Sequence, residues 1–207
     1  MNTLKGLYAI TDSSLMPDDD TLLCQVEDAI LGGAQIIQYR DKSNDKGKRL
    51  RQASALKSLC EYHQRYFIIN DDIELAFSCG ANGVHLGQSD GSLSDAKSRL
   101  SANAIIGVTC HDSLSLAQKA EKQGASYVAF GAFFRSQTKP HAIPAPLTLL
   151  QEARQQLSSP IVAIGGITVD NAHQVIAAGA DMVAVVHSLF TAPSVTQQAQ
   201  AFADVFK

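Results

Sequence analysis

Gly179-Ala180-Asp181-Met182-Val183, Gly124-Ala125-Ser126-Tyr127-Val128 and Gly80-Ala81-Asn82-Gly83-Val84 repeat one phrase, each joining the end of a helix-period segment to an apolar run. Gly32-Gly33-Ala34-Gln35-Ile36 is a fourth variant. The glycine suits the left-handed conformation that stops a helix, and a strand opens just after it. One helix-to-strand turn reused along the chain predicts a barrel with these turns on the N-terminal face of its strands, the face that carries stability.

Working outward, short apolar runs lie at 7–10, 36–39, 67–69, 84–86, 105–108, 127–130, 161–164 and 182–186. Most are continuously apolar, as parallel strands buried on both faces should be. Helix-period segments fill the intervals, at 21–31, 45–64, 72–79, 93–100, 113–123, 146–157, 170–178 and 194–206. Asp18, Asp19 and Asp20 suit the N-terminus of the first helix and its dipole. Eight strand–helix units predict an α/β fold, a single (β/α)8 TIM barrel over residues 1–207. A doubly wound open sheet is the alternative. No G-x-G-x-x-G follows the first run to favour its dinucleotide-binding form.

Lys plus Arg number 17 against 20 Asp plus Glu, so no chain-wide field attracts nucleic acid or an acidic membrane. Aromatic residues make up 6% and Trp is absent, which argues against a base-stacking surface. No run of 18 apolar residues predicts a membrane span, and no secretory leader is visible. The cysteines (Cys24, Cys60, Cys79, Cys110) form no C-x-x-C pair, which favours reduced thiols, a cytoplasmic home and no thiolate zinc site. Any anion must be held by a local cluster.

In a parallel barrel such a cluster belongs at the C-terminal strand ends. That rim carries Thr11-Asp12, then Gln38, Arg40 and Lys42, then Asn70-Asp71, Gln88 and Asp90, and Thr109 and His111. Ser136, Thr138 and Lys139, Gly165-Gly166 and His187-Ser188 complete it. Alternation puts Gln38, Arg40 and Lys42 on one side, an anion site unless they are only a solvated charge run. Asp71 and Asp90 are either helix N-caps or oxygen ligands for Mg2+, which takes one or two carboxylates with water and substrate phosphates. The stretch 133–145, with Pro140 and Pro144, reads as a lid carrying phosphate-binding groups or as ordinary surface loop. Gly165-Gly166 can bring backbone N–H groups close to a phosphate or simply make a tight turn. His85 reads as an interior histidine bonded to a neighbour, His63, His141 and His173 as solvent-facing, and Cys110 as a poor nucleophile.

Together, Leu7-Tyr8-Ala9-Ile10-Thr11-Asp12, Gln38-Tyr39-Arg40-Asp41-Lys42, Ile68-Ile69-Asn70-Asp71, Gly83-Val84-His85-Leu86-Gly87-Gln88-Ser89-Asp90, Ile106-Gly107-Val108-Thr109, Thr138-Lys139-Pro140 and Ala163-Ile164-Gly165-Gly166-Ile167 resemble the thiamine phosphate synthase family. The stretches run in family order across nearly the whole chain. The resemblance implies a transferase of thiamine biosynthesis, a (β/α)8 barrel. It would join hydroxymethylpyrimidine pyrophosphate to hydroxyethylthiazole phosphate, releasing pyrophosphate by a dissociative, Mg2+-assisted substitution. By the same resemblance Gln38, Arg40, Lys42 and Asn70 hold pyrophosphate, and Asp71 and Asp90 hold Mg2+. Thr109 sits by the pyrimidine. Ser136, Thr138 and Lys139 act from the lid, Arg40, Lys42 and Lys139 being the catalytic cations. Gly166 and the backbone near His187 take the thiazole phosphate. Tyr39, Ser136, Thr109 and His187 stand where the family more often has Leu, Thr, Ser and Ser. A related thiazole tautomerase, or a non-catalytic thiamine-phosphate-binding protein, would share the fold, but the first tends to lose the metal carboxylates and the Thr-Lys pair. The partners expected are phosphorylated small molecules, with neither nucleic acid nor membrane, and a homo-oligomer is left open.

Overall fold

A computed structural model describes residues 4–135 and 144–207. Its elements in chain order are β1 (Gly6–Ile10), α1 (Asp19–Leu31), β2 (Ile36–Tyr39), α2 (Lys46–Tyr62), β3 (Tyr66–Asn70), α3 (Ile73–Ser78), β4 (Gly83–Leu86) and α4 (Leu93–Arg99). Then follow β5 (Ile105–His111), α5 (Leu114–Lys122), β6 (Tyr127–Gly131), α6 (Thr148–Gln156), β7 (Ile161–Ile164), α7 (Val169–Ala177), β8 (Met182–Val185), α8 (His187–Phe190) and α9 (Val195–Asp204). The strands form a closed parallel barrel in sequence order, sealed where Leu7 of β1 lies opposite Val183 of β8. It is a (β/α)8 barrel, not an open sheet.

Alternation along each strand builds two apolar layers. Tyr8, Ile10, Ile36, Ile68, Tyr127, Ala129, Val162, Met182 and Ala184 cluster within the barrel. The intervening residues, among them Leu7, Ile37, Phe67, Ile69, Val84, Val128 and Val183, belong to a second cluster with Leu22, Val26, Leu56, Leu150 and Phe202 of the helices. Each large aliphatic side chain so buried contributes roughly 1.5–3 kcal/mol relative to exposure. This two-sided burial is why the strands read as unbroken apolar runs.

The repeated turn has one geometry in all four copies. Ala34, Ala81, Ala125 and Ala180 each return an N–H to the carbonyl five residues back, at 2.9–3.0 Å. The following residue then docks on the neighbouring strand, as in Asp181 N–H to Ile161 O at 2.9 Å. The glycines Gly33, Gly80, Gly124 and Gly179 carry φ of 113°, 66°, 81° and 117°, which a side chain would disfavour.

Three local differences from the sequence reading have physical causes. The helices expected to begin at Asp45, Asp72, Ser113 and Ser194 begin one residue later, because these side chains accept an amide from the first turn and serve as N-caps. The four-residue helix α8 was not expected, being too short to show a period. His63, expected in solvent, keeps only 17% of its side chain exposed and meets Glu27 at 3.0 Å. Among the described residues no helix is long and apolar enough to cross a membrane.

Candidate active site

The end of β2 shows how the site is aimed. Tyr39, facing the helices, donates its hydroxyl to Gln52 Oε1 at 2.8 Å, and Gln52 Nε2 donates to Asp19 at 2.7 Å. Asp41 also turns inward, accepting the Ser43 N–H at 2.6 Å and pairing with Lys48 at 3.0 Å. Burial works against the Asp41 charge, but these partners outweigh it and hold the carboxyl below its usual range. With Tyr39 and Asp41 anchored, the expected one-sided alternation ends with the strand at Tyr39: Lys42 lines the rim cavity with Asp41 beside it, while Arg40 lies apart, near Asp12. The sequence had offered Asp41 only as part of a charge run, and its buried anchoring role was missed.

Lys42, Asn70, Asp71 and Asp90, from the ends of β2, β3 and β4, line one cavity of about 510 Å³, together with Arg49 and Arg99. Lys42 Nζ and Asn70 Nδ2 both donate to Asp71 Oδ2, the latter at 2.6 Å. Asp71 has φ of 63°, and its N–H donates to the His85 carbonyl at 2.8 Å. The capping alternative for the two carboxylates is answered by their neighbours. Asp72 accepts the Leu75 N–H at 2.9 Å to cap α3, and Ser92 accepts the Asp95 N–H at 3.0 Å to cap α4. Asp71 and Asp90 are left facing the cavity.

A second charged group lies where β1, β2 and β8 end. Arg40 donates its backbone N–H to Thr11 Oγ1 at 2.9 Å. Partial burial opposes the Asp12 charge, but hydrogen bonds from Ser14 and the charges of Arg40 and His187 lower its pKa. Next to it, the β7–α7 turn is packed too closely for side chains. A Cβ on Gly166 would lie 2.3 Å from the Arg135 carbonyl oxygen. Ser188 donates to the Ile167 carbonyl at 2.6 Å and ties the β8 end to that turn.

Gln38 lies deeper, 3% exposed, inside the barrel. Its Nε2 donates to Tyr8 Oη at 2.7 Å, and Tyr8 Oη lies 2.7 Å from Tyr127 Oη. Tyr127 Oη lies 3.0 Å from His85 Nδ1, and His85 Nε2 lies 2.8 Å from Thr109 Oγ1. His85 is thus the bonded interior histidine the sequence suggested. The tyrosines were missed as polar groups because they sit inside apolar runs; their inward parity was the available signal. His111, expected at the rim beside Thr109, is displaced by a register shift between the two and is exposed, with φ of 52°. Burial pushes the Cys110 thiol up to about 12, consistent with a packing role. Ser136, Thr138, Lys139 and His141 lie outside the described residues.

A closed parallel barrel with cations, an amide and two carboxylates gathered at its C-terminal mouth defines an anion-handling barrel enzyme. Comparison with known proteins narrows that class. The family described as thiamine monophosphate synthase matches residues 7–189. A thiamine-phosphate synthase of Thioalkalivibrio sulfidiphilus is 52% identical over 204 residues, covering 99% of this chain and 96% of that protein. A solved thiamine phosphate pyrophosphorylase from Pyrococcus furiosus is 32% identical with a TM-score of 0.86, over 97% of this chain and 95% of that one. A second, from Bacteroides thetaiotaomicron, superposes with a TM-score of 0.69 over 98% and 97% at 17% identity, which shows the fold alone. The chain belongs to the thiamine monophosphate synthase family and is an enzyme of the transferase class.

Proposed function

We propose that the chain joins hydroxymethylpyrimidine pyrophosphate to hydroxyethylthiazole phosphate, giving thiamine phosphate and pyrophosphate. The observation that carries this reading is the convergence of Lys42, Asn70, Asp71 and Asp90 on one cavity at the barrel mouth. Family membership supplies the reaction, and the cavity supplies groups suited to a pyrophosphate ester.

The donor set fits Mg2+. It consists of two carboxylates free of capping duty, and one or two carboxylates are what this ion takes beside water and substrate phosphates. Asp71 and Asp90 would hold the ion. When bound, it would neutralise charge on the pyrophosphate oxygens.

The chain's own groups would do the rest. Arg40, Lys42 and Asn70 would bind pyrophosphate and stabilise charge gathering on it as the C–O bond breaks. Gln38 would act from deeper in the barrel, and Thr109 would face the pyrimidine. Ser136, Thr138 and Lys139 would add a hydroxyl pair and a cation on the same ester. Gly166 and the backbone at His187 would take the thiazole phosphate. The bonding pair leaves with pyrophosphate, the aminopyrimidine stabilises the methylene cation, and the thiazole nitrogen supplies the pair for the new C–N bond. Positioning then matters more than a strong base, in keeping with a His85 held in hydrogen bonds inside the barrel.

The test is pyrophosphate release by the purified protein given each substrate singly and both together, with and without a chelator. Release that needs both substrates and stops on chelation is expected. Isomerisation of a thiazole carboxylate phosphate without pyrophosphate release would overturn the reading.

A further inference from the structure

The chain of groups inside the barrel has a direction. Gln38 Nε2 donates to Tyr8 Oη, so the Tyr8 hydroxyl hydrogen is satisfied only by pointing at Tyr127 Oη, 2.7 Å away. The Tyr127 hydrogen must then point at His85 Nδ1, at 3.0 Å. A neutral imidazole carries one N–H, so His85 Nε2 holds it and donates to Thr109 Oγ1 at 2.8 Å. Every hydroxyl and ring hydrogen of this chain of groups but one is now placed. The one left over is that of the Thr109 hydroxyl, on a side chain that is partly exposed.

We propose that Tyr8, Tyr127 and His85 are positioning residues that fix Thr109 as a hydrogen-bond donor to the ligand, so that the mouth selects a ring nitrogen acceptor and rejects a ring N–H. This rests on the reading above that Thr109 faces the pyrimidine. An aminopyrimidine offers a bare ring nitrogen beside its amino group, whereas the oxo counterpart carries a proton on that nitrogen. Against a Thr109 held as donor, the oxo ring places hydrogen against hydrogen. Reversing the preference would require every bond back to Gln38 to turn over together.

Several features keep the relay in one state. Burial raises both phenols well above their ordinary pKa, so each keeps its hydrogen. With Tyr127 donating to its Nδ1, the His85 ring carries a single hydrogen, on Nε2, and is neutral. The His85 ring stacks on Tyr127 at 5.5 Å between centroids, with the planes 17° apart. Tyr8 meets the edge of Tyr127 at 5.9 Å. Gly107 makes room for that ring, since a Cβ there would lie 2.0 Å from Tyr127 Cζ. Gly107 sits two residues before Thr109 on β5 and opposite His85 on β4, so the opening lies within the relay itself.

Two measurements test the proposal. Nitrogen-15 NMR of the wild-type protein, with the His85 signal assigned by loss in His85→Gln, should show the Nε2–H tautomer. An Nδ1–H tautomer would overturn the relay, whether or not the protein is a synthase. Second, kcat/KM is compared for the aminopyrimidine pyrophosphate and its oxo counterpart. Wild type should prefer the amino compound by about 10⁴-fold, the scale on which a hydrogen-bonding site rejects a mismatched analogue. Tyr127→Phe should cut that ratio by roughly tenfold or more, the worth of one buried hydrogen bond, while inorganic pyrophosphate binds as before. Thr109→Val should lose the selection and Thr109→Ser keep it. An unchanged ratio in folded Tyr127→Phe would overturn the proposal. Should that variant fail to fold, the wild-type tautomer and the Val/Ser pair decide. Wild type that turns over neither pyrimidine would sink the synthase reading and leave the tautomer result standing by itself.

Discussion

Asp71 carries two demands at once, a left-handed backbone and a carboxylate facing the cavity. Asn tolerates that backbone nearly as well as Asp, so Asp71→Asn should remove charge without unfolding the turn. Changes beyond the direct ligands of a metal already cost 10–100-fold in its affinity. Loss of a ligating charge in Asp71→Asn or Asp90→Asn should therefore raise the Mg2+ concentration for half-maximal turnover by at least about tenfold. Activity unchanged at limiting Mg2+ would remove the metal assignment. Arg40 supplies the second residue-level test. Arg40→Ala should weaken the pyrimidine pyrophosphate by roughly 10- to 100-fold, the loss expected for a charge-assisted contact, and the thiazole phosphate much less. Equal losses in calorimetric titrations would mean the anion sites are exchanged or shared. At this scale the polar rim was legible because parallel barrels confine chemistry to the strand ends. The inward tyrosines were not, because a phenol inside an apolar run reads as packing until its oxygen has a partner.

At the scale of elements, the strand–helix alternation was legible because two-sided burial leaves unbroken apolar runs and a recurring glycine marks each helix end. What the periods could not show is how α1 and α2 together aim the end of β2. Tyr39 reaches across to Gln52, which in turn reaches Asp19 at the start of α1. That link joins three elements through side chains 13 and 33 residues apart, a spacing no local pattern encodes. Tyr39→Phe should leave the buried Gln52 oxygen without its donor, at about 1–3 kcal/mol. For a chain of this length that lowers the melting temperature by roughly 2–10 °C. Turnover at saturating substrate should hold at a temperature where the variant stays folded, since Asp41 remains pinned by Ser43 and Lys48. A large fall in kcat with unchanged stability would instead show that Asp41 alone does not hold the end of β2 in place.

Across the whole molecule, strand closure makes β1 depend on β8, so a group titrating in one strand weakens the entire barrel. His85 on β4 is the group to watch. Its pKa is about 4 in the folded chain, against about 6.5 when unfolded. Between those values the unfolded chain binds a proton that the folded chain refuses, so stability rises with pH there. The neutral ring's contribution is complete above about pH 6.5 and is lost as pH falls towards 4. A second group acts lower. Asp12, Asp41 and Glu121 all have depressed carboxyl pKa values, each overcoming partial burial through hydrogen bonds and nearby cations. Glu121, for one, accepts the Ser158 and Ser159 N–H groups at 2.8 and 2.6 Å. Their stabilisation is present above the ordinary carboxylate range, near pH 4, and is lost as pH falls through the lower folded values. The melting temperature should therefore hold level above about pH 7, decline from about 6.5 to 4, and fall further below. His85→Gln, which keeps a polar group but no titrating ring, should start lower and remove most of the decline between about pH 6.5 and 4, leaving the acid limb below it. A wild-type melting curve flat from pH 7 to 5, or the same decline in His85→Gln, would show that protonation of this ring is not what couples pH to the barrel.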